Sequence, residues 1–75
     1  MLKSGTVVSL NHADKTGIIV DAKNKEYFFS ITECYEGRLP NVWDEVTFVK
    51  DPDFKSTPVA MLIKSTEVMK KLAVG

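Results

Sequence analysis

The chain has 75 residues, with ten basic and ten acidic side chains, one histidine and one cysteine. That length holds one domain and buries only about 60% of the surface its unfolded form exposes, so a large core is excluded. Zero net charge argues against the broad electrostatic grip that drives binding to duplex DNA, and a single cysteine rules out an intrachain disulfide.

Gly5 to Leu10 (GTVVSL) is a β-rich run, ended by the polar turn Asn11-His12-Ala13-Asp14-Lys15. Thr16 to Val20 is the second strand, β-branched around one glycine. The polar segment Asp21 to Lys25 has a common hairpin-loop length, and Tyr27 to Ile31 follows as the third strand. A long irregular connection, Thr32 to Asp44, carries Gly37, Pro40 and Asn41. Glu45 to Lys50 (EVTFVK) alternates and reads as the fourth strand, with Val46 and Phe48 on one face. Asp51-Pro52-Asp53 starts a loop, because the residue before proline is pushed out of helix. Pro58 to Lys64 is the fifth strand, with Pro58 first, where its missing N–H costs little. Residues 67–75 form a tail of helix-forming character with a Glu67–Lys71 pair; it is too short to be stable alone and must dock or fray. Five short strands at this spacing, over residues 1–66, predict a small closed or nearly closed all-β barrel.

Function classes narrow by chemistry. A nucleophile needs a base in reach and a group to orient it, and one histidine with one cysteine supplies no such set, so no enzyme is expected. His12 stands in a polar loop with no second ligand beside it, and Cys34 reads as a buried, inert thiol, so neither a metal nor a cofactor is expected. The lone thiol and the lack of a secretion-like apolar run in residues 1–10 suggest a cytoplasmic setting; nothing approaches the ~20 apolar residues of a membrane span, and no small-molecule substrate is indicated. Charge is uneven along the chain. Lys3, Lys15, Lys23 and Lys25 fall in the first third, while Glu33, Glu36, Asp44, Glu45, Asp51 and Asp53 make the stretch 33–53 acidic.

The landmarks together resemble a cold-shock domain. Gly5-x-Val7 with Leu10-Asn11 is similar to the family's opening strand G-x-V-K-W-F-N. Lys15-Thr16-Gly17-Ile18-Ile19 stands where the first nucleic-acid motif, K-G-F-G-F-I, belongs. Glu26-Tyr27-Phe28-Phe29-Ser30 stands for the second, D-V-F-V-H, and Ile31-Thr32-Glu33-Cys34 for F-S-A-I. Asp44 to Phe48 matches the fourth strand, and Pro58-Val59-Ala60 through Ile63 matches the closing G-P-Q-A-A-x-V. The resemblance spans about residues 2–64 and implies a five-stranded barrel of the oligonucleotide-binding (OB) fold. Alternation within each strand then turns Val7, Ile19, Phe29, Val46, Phe48 and Ile63 inward.

The family binds single-stranded RNA and DNA by stacking bases on aromatics of the second and third strands, helped by a tryptophan on the first. Here the tryptophan position is Ser9, the two phenylalanines of the first motif are Thr16 and Ile18, and the histidine of the second is Ser30. Only Phe28 remains; in the family register it faces outward while Tyr27 and Phe29 point into the barrel. The resemblance therefore implies a weak binder of single-stranded RNA or DNA, a chaperone or regulator, centred on Phe28 with Ser9, Lys15, Ile18 and Ser30. Lys23 and Lys25 read as a solvated hairpin rim. Phe54, an aromatic amid Asp, Lys and Ser, is a further contact candidate together with Lys55, whereas Trp43 is expected to plug a barrel end beside Val42 and Val46 rather than serve as a ligand platform. The competing function is a barrel turned to protein interaction, with a protein partner or a second copy on the aliphatic surface Val8/Ile18 and the amphipathic tail residues Val68, Met69 and Leu72.

Overall fold

The computed structural model describes residues 2–52 and 58–65. Phe54, Lys55 and the tail 67–75 lie outside the described residues. Five strands, β1 (Leu2–Asn11), β2 (Thr16–Asp21), β3 (Glu26–Ser30), β4 (Glu45–Lys50) and β5 (Ala60–Ser65), form one antiparallel sheet in the order β3-β2-β1-β4-β5. β1 starts three residues before the predicted Gly5, because Leu2 to Ser4 find partners in Val49 to Thr47. It is thus shared: residues 5–11 pair with β2 and residues 2–6 with β4. A strand divided between two partners lets a twisted sheet curl on itself. Curling brings β3 to the chain ahead of β5, where the Phe28 N–H donates to the Pro58 carbonyl at 2.9 Å and Phe28 bridges Val59 in parallel. Pro58 was expected as the first residue of the fifth strand. It precedes that strand by two residues and serves closure through the carbonyl that a proline keeps.

Alternation holds in β2 and β3, and bulges reset it elsewhere. Tyr27 and Phe29 are buried and Phe28 between them is exposed. The β1–β2 pairing slips by one residue across Val8, so Val7 faces the core, Ser9 faces solvent and Leu10 packs against the core. The β4–β5 pairing slips across Leu62, which takes φ +56° and turns outward while Ala60 and Ile63 both stay buried. All six residues expected inside are inside, joined by Tyr27, Cys34 and Ala60. Thr47 is buried too, in a strand paired on both sides.

Gly17, in the middle of β2, answers to close packing. A Cβ there would lie 2.5 Å from Cζ of Phe29 and 2.8 Å from the Ser9 carbonyl oxygen. The hairpin that follows is held by one carboxylate. Asp21 accepts from the N–H groups of Lys23 (2.9 Å) and Lys25 (3.0 Å), and the buried Tyr27 donates its hydroxyl to it at 3.3 Å. The Lys25 N–H, with those other donors, holds the Asp21 carboxyl below its ordinary pKa despite some opposing desolvation. The Tyr27 ring meets Phe48 at 4.9 Å between centroids, tilted by 57°, which is a favourable aromatic geometry.

The connection from β3 to β4 contains two 3-10 turns, Ile31–Glu33 and Tyr35–Gly37. Cys34 between them is buried and bridges Ile63; burial, and after it the Glu33 charge, pushes the thiol up to about 11. The expected burial of this thiol is what the structure shows.

Trp43 departs from expectation. It does not plug a barrel end: the indole is 72% exposed, and Val42 beside it is also exposed. The reason is backbone geometry. Trp43 donates its N–H to the Val7 carbonyl at 2.6 Å, and the Val7 N–H donates to the Asp44 carbonyl at 3.0 Å, so two residues oppose one in a bulge ahead of β4. Asp44 N–H closes the turn on the Asn41 carbonyl at 3.1 Å, and Trp43, third residue of that turn, takes φ +75°. This is a place glycine fills without strain; a large side chain there costs roughly 1–3 kcal/mol.

Candidate nucleic-acid interface

The outer surface of the three-strand half of the sheet is built in rows. Phe28 pairs with Ile18 and Ile18 with Ser9, giving one line of side chains across β3, β2 and β1. Ser30, Thr16 and Asn11 form the next row by the same pairings. Directly opposed side chains on one face lie about 4.5–5.5 Å apart, so each row is continuous. Phe28 is 47% exposed, Ser9 is exposed, and Ile18, Val8, Thr16 and Ser30 are half-buried. The face therefore presents one aromatic ring, two aliphatic side chains and small hydroxyls.

Lys15 stands at the end of the second row, exposed, in the turn between β1 and β2. Its backbone takes φ +57°, and its carbonyl accepts from the Ile31 N–H at 2.9 Å, which ties that turn to the first 3-10 turn. Asn11 and Asp14 close the same turn with hydrogen bonds of 3.1 Å in both directions. Ser30 is partly spoken for: its Oγ caps the 3-10 turn by accepting from the Thr32 N–H at 3.3 Å and from the Thr32 hydroxyl at 3.1 Å. Lys23 and Lys25 belong to the hairpin at the far end of β2 and β3, and the Lys25 ammonium lies 5.7 Å from the Tyr27 ring centroid. The structure thus brings together Ser9, Ile18, Phe28 and Ser30 with Lys15 beside them, while Phe54 and Lys55 lie outside the described residues.

Sequence reasoning missed two exposed groups. One is Trp43, for which the flanking turn formers Asn41 and Asp44 were the available signal. The other is Leu62 with Tyr35, beside a groove of about 180 Å³ that Cys34, Ile63 and Lys64 also line; the Lys64 ammonium lies 5.4 Å from the Tyr35 ring centroid. Among the described residues no group of three or more His, Cys, Asp or Glu is placed to hold a metal ion, and no helix is long and apolar enough to cross a membrane.

No protein-family model matches the chain, and no curated protein matches it. Solved structures do. The CSD456 segment of Drosophila Unr superposes with a TM-score of 0.71 at 27% sequence identity, over 87% of this chain. The chain therefore has the fold of a small cold-shock-type OB barrel, a curled sheet of five antiparallel strands. It spans 26% of the length of that Unr structure. On the Phe28–Ile18–Ser9 row of this fold, Phe28 supplies the aromatic ring.

Proposed function

We propose that this domain binds single-stranded RNA or DNA, weakly and without chemical conversion, through the Phe28 face, acting in the cytoplasm as a stoichiometric chaperone or regulator. The observation that carries the reading is Phe28 itself: a ring 47% exposed at the β3 end of a curved, hydroxyl-lined face in a cold-shock-type fold. Stacking is worth about 1–3 kcal/mol per base. One ring in place of several leaves a small total, and Ile18 offers a base contact surface without a π-face. Lys15 and Lys55 supply phosphate contacts in this reading, and Phe54 adds a second apolar contact. Two or three such contacts give a shallow salt dependence, at ~0.7 per contact for single strands.

The test is an anisotropy titration of labelled single-stranded oligonucleotides at low and moderate salt, on wild type and Phe28→Ala. Saturable binding that the substitution abolishes supports the reading; no binding at low salt contradicts it. A second reading is favoured by the exposed Leu62 and Tyr35 beside their groove and by the aliphatic Val8 and Ile18: a barrel whose partner is a protein. Apolar contacts of that kind do not weaken as salt rises, which separates the two readings.

A further inference from the structure

Trp43 contributes little to the core, yet holds a backbone conformation that glycine would hold without strain. Strain kept at an exposed aromatic points to a use for the ring in solvent. Its position supplies the use. Trp43 is hydrogen-bonded to Val7, and the next two residues of β1, Val8 and Ser9, belong to the outer face. Ser9 pairs with Ile18, and Ile18 with Phe28. Counted along the curled sheet, Phe28 on β3 and Trp43 ahead of β4 are three strand positions apart, about 14 Å of arc.

We propose that Trp43 is a second base-stacking platform, which continues the Phe28 face across β1 for the same single strand; this rests on the nucleic-acid reading above. The small side chain of Ser9 leaves β1 without a ring of its own, and the adjoining bulge carries an exposed one. The ligand is a base rather than a phosphate, because the flanking charges at Asp44 and Glu45 are acidic. Asp44 is moreover committed to its turn, accepting from the Asn41 N–H at 2.9 Å. Trp43 accordingly contributes stacking and no counterion release, so its loss lowers affinity without changing the salt slope.

Trp43 is the only tryptophan, so its emission reports this position alone. The full chain is titrated with oligothymidylates of about 4 to 16 nucleotides, the span of OB-fold site sizes, following tryptophan emission and the anisotropy of a labelled strand. Emission is expected to change and to saturate together with anisotropy. Trp43→Gly is expected to weaken binding about 5- to 150-fold, with an unchanged salt slope and an equal or higher melting temperature, and Trp43→Phe to retain part of the affinity. That pairing of lost affinity with kept or gained stability is what a merely structural tryptophan would not produce. Binding seen by anisotropy with emission unmoved, or Trp43→Gly binding as wild type does, overturns the inference and leaves the Phe28 reading standing. A Trp43→Gly variant of lowered melting temperature also overturns it. Absence of binding by both probes overturns the inference and the nucleic-acid reading together.

Discussion

Gly17→Ala tests how the face and the core are coupled. A Cβ at residue 17 would fall 2.5 Å from Cζ and 2.6 Å from Cε1 of Phe29, and 2.8 Å from the carbonyl oxygen of Ser9. All three distances are shorter than real Cβ contacts. The Phe29 ring is buried and cannot swing into solvent, and the Ser9 carbonyl is backbone, so β1 and β3 must both give way. Overpacking of this kind costs typically 1–3 kcal/mol, occasionally more. Ala gains part of that back by restricting the unfolded chain, about 0.4–1 kcal/mol. A net loss of about 1.3 kcal/mol is large against the roughly 4–11 kcal/mol of total stability for a domain of this size. At about 4–8 °C per kcal/mol, it lowers the melting temperature by about 5–10 °C, read by far-UV circular dichroism. Adding Phe29→Leu removes the ring and should recover part of the loss, leaving the Ser9 clash. A Gly17→Ala protein that melts at or above the wild-type temperature would refute the reasoning.

Three further outcomes are expected. Asp21 has a folded pKa below its ordinary value, so its contribution to stability is full above the ordinary carboxylate range and is lost as pH falls through the lowered value; Asp21→Ala should therefore melt lower at neutral pH and show a shallower acid limb in thermal scans, and an unchanged limb would contradict this. Cys34 is raised to about 11, so the neutral thiol stabilises fully below its ordinary value near 9 and that contribution fades between about pH 9 and about 11. The same burial makes the native thiol slow towards an aromatic disulfide reagent at pH 8, with labelling that accelerates in urea; equal rates in both would show that Cys34 is open to solvent.

Local pattern carried most of the fold. Alternation marked β4 to the residue, and the parity of Tyr27, Phe28 and Phe29 separated core from surface within three consecutive aromatics. What escaped was set by partners distant in the chain. Leu2 to Ser4 are strand only because residues 47–49 lie beside them. Leu62 faces out because the β4–β5 pairing slips there, which no count along β5 alone reveals. Trp43 was misjudged for the same reason. Its apolar neighbours Val42 and Val46 suggest a plug, but the hydrogen bonds to Val7 that impose its positive φ join residues far apart in sequence. Of the candidate site, the row Ser9–Ile18–Phe28 was legible because register and parity follow from strand order, whereas the ring at its β4 side was not.

The most direct test of the central claim is the affinity of the full chain for a short single-stranded oligonucleotide at low salt, measured in parallel for Phe28→Ala. Phe28 is exposed and its side chain is not part of the core, so the variant should fold as wild type does. The expected result is weak, saturable binding by wild type, tighter for single strand than for duplex, with a loss of about 1–3 kcal/mol in the variant. Equal binding by the two proteins, or none by wild type, would contradict a base-stacking role for this face.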